Sequence, residues 1–356
     1  MWRVTQIGIA DVAAAAGVSR TTVSLVLNNV EARISDETRE RVRRVAAEIG
    51  YVPNPVARSL RTRRTRTIGL ISDRIATTPF AGRLLAGAQD VAREHEYLVF
   101  LVNTDGDSEI EREAIRALSA HQVDRFVYAC MWHREISVPA GLPESTVFLD
   151  CRPLADGYSA VVPDDHAGGV AAVRELVMAG HRRIAYVDTT EKDRPVAAEL
   201  RHRGYLEVLR EAGIGADPRL HVTFETSALG GRRATEALLD LPVDVRPTAV
   251  FFFNDRMAMG AYVAAHTRGL EIPRDLSVFG YDDQQLVAAE LDPPLSTIAL
   301  PHYEMGRWAM EIVLGVREAP NDTFLMPCPV IRRASVGPPP ASTSTSSRRR
   351  TFLATE

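Results

Sequence analysis

Three apolar runs of this chain end in polar groups. Asp150 closes VFLD, Asn254 and Asp255 close VFFFND, and Asp282 and Asp283 follow FGY, while Arg201 sits in AELRHRGY. Carboxylates, an amide and a guanidinium can serve the hydroxyls of a polyhydroxylated molecule, each of which donates and accepts. Aromatic neighbours supply apolar walls for such a site. Each residue taken singly also reads as a strand-end cap or a surface charge; it is their shared position at strand ends that points to a ligand. Catalysis is the weaker reading. The adjacent acids of Asp164-Asp165-His166 and Asp282-Asp283 point different ways along a strand or turn, and no nucleophile, metal-ligand spacing or phosphate loop accompanies them. No enzyme activity, catalytic residue, metal or cofactor is expected.

A second set of polar groups lies in VSRTTVSLVLNN (18–29). Arg20 and Thr21 suit base edges, arginine favouring guanine and threonine a hydroxyl contact or a thymine methyl. Ser19, Thr22, Ser24 and Asn28 suit phosphates, which position without specifying. The bland alternative is a helical hairpin whose hydroxyls only cap and solvate.

The elements that must carry these groups follow from spacing. In IADVAAAAG (9–17), Ile9, Val12, Ala13 and Ala16 recur at helical intervals, and Gly17 suits a left-handed stop. Ser19 suits the N-cap of a second helix with Val23, Val26 and Leu27 on its apolar face. Two short helices joined at a glycine make a helix-turn-helix, whose second helix enters the major groove. Ser35 caps a third helix with Val42, Val45 and Ile49 inward, ending at Gly50.

Charge separates this head from the rest. Residues 1–66 hold 12 arginines against 6 acids, a net of +6, whereas the whole chain of 356 residues is −4. A basic head on an acidic body fits a polyanion partner for the head alone, although a solvated helical surface would show the same count. With 46% hydrophobic residues and no apolar run of spanning length, the chain reads as globular, without membrane insertion. No secretory signal is evident, and Cys130, Cys151 and Cys328 fit free thiols in a reducing compartment, so the cytoplasm is expected.

Between head and body runs YVPNPVARSLRTRRTRTIGL (51–70). Val56 to Leu60 could form two helical turns, marginal alone. Leu60 beside Arg58 and Arg61 fits a minor-groove wedge flanked by arginines; a flexible basic linker is the alternative. From residue 67 onward, apolar strands (67–72, 97–103, 124–130, 145–150, 182–188, 220–225, 248–254 and 276–282) alternate with helical stretches, which indicates parallel sheets covered on both faces. So much chain implies two lobes, with ligands outside the carboxyl ends of the strands.

Taken together, IADVAAAAGVSRTTVSLVLNN, ISDETRERV and GYVPNPVARSLRTRRTRTIGLI resemble the head and hinge of the lactose-repressor (LacI/GalR) family, and the similarity continues to about residue 336. The resemblance implies an all-α helix-turn-helix head plus an α/β body of two doubly wound parallel-sheet lobes, periplasmic-binding-protein-like. Its implied divisions are a DNA-binding head over 1–50, a hinge helix and linker over 51–66, a first lobe over 67–162 and 294–322, and a second over 163–293 and 323–336. The tail, 337–356, reads as disordered and lacks a leucine heptad.

The resemblance further implies a homodimer that binds a palindromic double-stranded operator as a repressor. A small effector, a sugar by its chemistry, would sit between the lobes and control it. It assigns Leu60 as the wedge, with Ala57 at the hinge contact and Asn54 among the DNA-binding residues, and places Arg20, Thr21 and Leu25 at recognition positions. Leu25 departs from members with arginine there, so one base contact should be missing. Pro79, Phe80, Asp150, Arg201, Asn254, Asp255 and Asp282 match effector positions, with Phe224 as a stacking aromatic whose spacing is off by one. Trp132 and His133, in CMWHREIS, depart from the family pattern; packing is the favoured role for Trp132. A solute-binding receptor without DNA function would share the body but lack the head.

Overall fold

A computed structural model describes residues 7–28, 30–51, 64–75, 82–190, 195–320 and 322–340. The chain divides into two compact units, the head (1–67 with 122–124) and the body.

In the head, α1 (Ile9–Ala16) and α2 (Arg20–Leu27) are bent 104° to one another, and α3 (Asp36–Glu48) completes the bundle. Gly17 stops α1 at φ 64°, a conformation without the Cβ clash other residues meet. Ser19 Oγ accepts from the Thr22 amide at 3.0 Å to start α2, and Ser35 Oγ from the Thr38 amide to start α3. Val12, Ala13, Ala16, Val23, Val26, Val42 and Ala46 form the small core. On α3 the inward position belongs to Ala46, with Val45 and Ile49 half-buried at the rim.

The body is built on two sheets. The larger has the order β13-β7-β5-β3-β1-β2, with β1 (Thr67–Ser72), β2 (Leu98–Asn103), β3 (Arg125–Ala129), β5 (Val147–Leu149), β7 (Ser159–Pro163) and β13 (Thr323–Met326). The smaller has the order β11-β10-β8-β9, with β8 (Ile184–Thr189), β9 (His221–Phe224), β10 (Ala249–Phe252) and β11 (Ser277–Phe279), all paired parallel. Two short pairs complete the strands, β4 (Glu135–Ile136) with β6 (Arg152–Pro153) and β12 (Thr297–Ile298) with β14 (Val330–Ile331). Helices α4 (Gly82–Glu94), α5 (Ser108–Ala120) and α10 (His302–Val313) belong to the first lobe. Helices α6 (Asp165–Met178), α7 (Val196–Glu211), α8 (Ala228–Leu239) and α9 (Asp255–Thr267) belong to the second.

Continuous apolar strands such as TIGLIS and AVFF are buried at every residue, as sheets covered on both sides require. Helix pairs close tightly at glycines. A Cβ on Gly169 of α6 would stand 2.7 Å from the Arg201 carbonyl oxygen of α7, and one on Gly231 of α8 would stand 1.9 Å from the Met257 carbonyl oxygen of α9.

Three expected boundaries shift. Residues 323–326 pair with β7 in the first sheet, so the return to the second lobe comes after Met326 instead of at 323. Residues 294–299 stay with the second lobe, because Leu295 and Ile298 pack in its cores and Ser296 and Ala299 bridge to Phe279 and Asp282; the crossing to the first lobe therefore lies between Ala299 and α10. The tail does not begin at 337: the Gly337 amide donates to Ser277 Oγ at 3.1 Å, and its carbonyl faces His181 Nε2 at 2.9 Å.

Candidate functional site

In the head, the start of α2 presents Arg20 and Thr21 exposed, with Thr22 half-buried. Its apolar side, Val23 and Val26, is fully enclosed, which fixes the direction of the polar side. Ser19 Oγ and Thr22 Oγ1 lie 2.9 Å apart and hold the helix start. Asn28 Nδ2 donates to the Ser24 carbonyl at 2.6 Å, closing the last turn, so Asn28 has a structural task that spacing did not suggest. Leu25 is half-buried beside Ser24. Asn54, Ala57, Arg58, Leu60 and Arg61, like Pro79 and Phe80, lie outside the described residues.

In the body, residues of the second lobe converge on Arg201. Arg201 is only 2% exposed. Nε and one Nη reach Asp165 Oδ1, each at 2.9 Å, and the other Nη donates to the Phe253 carbonyl at 2.6 Å and lies 3.7 Å from Asp282 Oδ1. Cζ stands 3.5 Å over the Tyr281 ring and 4.7 Å from the centre of Phe253. Burial opposes the charge, but Asp165, Tyr281 and Asp282 together outweigh it and Arg201 stays protonated. Burial also pushes Asp165 upward, and here the Arg201 charge and the His133 bond win, so its pKa falls.

Asp150, Asn254 and Asp282 each bring a buried polar atom with no hydrogen-bond partner: Asp150 Oδ1, Asn254 Nδ2 and Asp282 Oδ1. Burial raises Asp150 strongly, helped by the nearby Asp165 charge. Burial lifts Asp282 to about 6 despite the pull of Arg201. Both carboxylates sit on left-handed backbone, Asp150 at φ 56° and Asp282 at φ 108°. Strained backbone of this kind concentrates at functional sites. Asn254 reached its place as the N-cap of α9, where its Oδ1 accepts from Met257.

Asp255 and Phe224 are placed differently from the others. Both Asp255 oxygens are engaged, Oδ1 by the Thr297 hydroxyl at 2.7 Å and Oδ2 by the Gln284 amide at 2.7 Å. Burial and the nearby Asp282 charge raise its pKa. Phe224 ends β9 half-buried against the core of the second sheet.

Next to Asp282 a cavity of about 500 Å³ opens between the crossing segments, lined in part by Arg83, Leu300, Pro301, His302 and Met326. Burial, with the Arg83 and Arg201 charges, lowers the His302 pKa to about 4, so it is a neutral imidazole at pH 7.

Asp165, His133, Phe253, Tyr281, Arg83 and His302 were not singled out as ligand-site residues from sequence. Phe253 and Tyr281 adjoin strand-end residues that were, so a one-residue extension of that rule would have found them. Asp165 had been weighed only as a catalytic acid. Nothing local marks Arg83 or His302.

Comparison with known proteins adds to this geometry. Residues 8–54 match the family described as bacterial regulatory proteins, lacI family, and residues 173–336 match the periplasmic binding protein-like domain. The chain is 36% identical to the ribose operon repressor of Haemophilus influenzae, over 88% of this chain and 93% of that protein. The lac repressor dimer solved with operator and the anti-inducer ONPF is 26% identical, with a TM-score of 0.73 over 94% of this chain and 100% of that one. The regulator CelR, solved with cellobiose, is 30% identical, with a TM-score of 0.64 over 92% of this chain and 99% of that one.

Proposed function

Because the chain belongs to the lacI family of bacterial regulatory proteins, we propose that it is a repressor that binds a palindromic operator as a homodimer, and that a small carbohydrate between its lobes controls it. The head supplies base contacts through Arg20 and Thr21 and phosphate contacts through Ser19, Thr22 and Ser24. Leu60, between Arg58 and Arg61, serves as the minor-groove wedge, with Asn54 and Ala57 beside it. Relatives that are DNA-binding repressors support the cytoplasm as its compartment and weigh against a receptor without DNA function.

One observation carries the effector class. Two carboxylate oxygens and one amide nitrogen are buried without a hydrogen-bond partner, one of the oxygens 3.7 Å from the charged Arg201 guanidinium. A buried polar atom left unpaired costs roughly 1–3 kcal/mol. A ligand that supplies several hydroxyl donors and an acceptor satisfies all three at once. The ribose repressor and the cellobiose complex among its relatives favour the same class. Within this reading Asp150, Asn254, Asp282 and Arg201 contact the ligand. Asp255 ties the segments at 284 and 297 together behind them, and Phe224 supports the wall.

Thermal unfolding of the full chain with D-ribose, cellobiose and, as a non-carbohydrate control, adenine tests this. A carbohydrate is expected to raise Tm, by the equivalent of about 2.7 kcal/mol at one hundred times its Kd. Arg201→Ala should lose that shift while still retarding operator DNA in a gel. A shift with adenine and none with any carbohydrate would overturn the assigned class.

A further inference from the structure

The loop CMWHREIS, which departs from the family pattern, has no part in the reading above, yet it reaches from the first lobe onto the second. We propose that Trp132 and His133 form a latch that holds the lobes together without a ligand.

The base of the loop is fixed to the first lobe. Asp73, at the end of β1, accepts from the Met131 amide at 2.9 Å through Oδ1 and from Arg134 at 2.7 Å through Oδ2. Bonded on both sides, residues 132 and 133 project from a rigid footing. Three of their contacts fall on the second lobe. His133 Nδ1 lies 2.9 Å from Asp165 Oδ2, with both side chains buried. A carboxylate at this site only accepts, because Arg201 and His133 keep Asp165 ionised, so Nδ1 carries the hydrogen. The Trp132 ring lies 6.0 Å from that of Phe253 and packs with the core of the second sheet. The His133 carbonyl accepts from the Ala197 amide at 3.4 Å. That amide is in the first turn of α7, where no acceptor exists within the helix, so the other lobe provides one.

The latch ends on the groups that hold Arg201. Asp165 gives one oxygen to His133 and the other to Arg201, and the Phe253 ring that meets Trp132 also lies 4.7 Å from Arg201 Cζ. Parting the lobes leaves a buried carboxylate with one partner fewer and an indole without its neighbour. Both losses favour closure. A pocket that is competent only when closed binds with an apparent Kd divided by the closed fraction, so the latch sets effector sensitivity.

The test uses the full-length chain with no sugar added and so does not depend on the ligand class. Acrylamide quenching, taken as the difference between the wild type and Trp132→Phe, isolates Trp132 from Trp2 and Trp308. Amide exchange is followed at Ala197. His133→Ala removes the imidazole but keeps the carbonyl at 133, so faster exchange at Ala197 reports lobe separation and not the missing ring. We expect quenching of Trp132 to rise about two-fold and Ala197 exchange to quicken about ten-fold, as local opening becomes easier. His133→Asn, which keeps an N–H donor, should fall between the two. Unchanged quenching and exchange in cooperatively unfolding His133→Ala would overturn the latch and leave the effector reading untouched. If the alanine variant does not fold, Trp132→Leu and His133→Asn carry the same exchange measurement, and wild-type rates in both would overturn it equally.

Discussion

Asp282 shows how the proposed ligand site can work against the stability of its own protein. Its carboxyl is buried, its Oδ1 lacks a hydrogen-bond partner, and burial raises its pKa to about 6. A group whose pKa is raised in the native state favours folding below its unfolded value near 4 and loses that contribution as pH rises through 6. At pH 8 the native state therefore carries the buried charge in full. Asp282→Asn, without sugar, is expected to be more stable at pH 8 by up to about 3 kcal/mol, with the gain shrinking below pH 6 and gone below about 4. Urea titrations at pH 8, 6 and 4 would reveal it; a gain independent of pH would show that charge is not its source. The same variant should bind the effector more weakly. Asp150, Asn254 and Asp282 were legible in the sequence because a parallel sheet presents ligands to the residues just past its strands. Asp165 was not, because it begins a helix on the far side of a lobe crossing. His133 was visible only as an oddity, since its partner is 32 residues away.

At the level of elements, paired helices position the site through close backbone approach. Gly169→Ala would push a methyl group against the Arg201 backbone, forcing α6 from α7 and Arg201 from Asp165. Gly231→Ala would wedge α8 from α9 in the same way, at residue 257. Each should cost about 1–3 kcal/mol, the usual range for overpacking. Only Gly169→Ala should also abolish the Tm response to effector. Equal loss of response in both would mean that general loosening, not the placement of Arg201, is responsible. The eight strands expected from apolar runs match β1, β2, β3, β5 and β8 to β11. The others were missed for physical reasons. SAVVP (159–163) is short and closed by proline, and TFLM (323–326) is an edge strand whose Phe324 and Leu325 are exposed, so neither reads as a buried run. The second miss also displaced the expected lobe boundary.

Across the whole molecule, the sign of the charge divides the labour. The net +6 of residues 1–66 belongs to the part that meets DNA, and the remaining surface is acidic. A complex making 6–10 phosphate contacts loses about 10³–10⁵ in affinity between 50 and 200 mM salt. Operator affinity of the full chain should follow that slope in a fluorescence anisotropy titration, while the sugar-induced Tm shift should barely change with salt. A shallow slope for DNA would argue that apolar contacts carry the binding. The division between head and body was readable from charge and helix spacing alone, because both are local properties. The arrangement of the cleft was not, because it depends on three crossings between lobes.

The grip of His181 and Ser277 on Gly337 has a practical side. Both residues lie where the strands of the smaller sheet begin, before β8 and at the first residue of β11, whereas Asn254 and Asp282 follow the ends of β10 and β11. Strands of three to six residues put those two rims roughly 10–20 Å apart. A fluorescent protein or surface anchor joined directly after Pro340 would therefore depart from the rim remote from the proposed ligand site. Such a fusion turns this chain into a sensor whose reporter does not crowd the mouth through which its analyte enters.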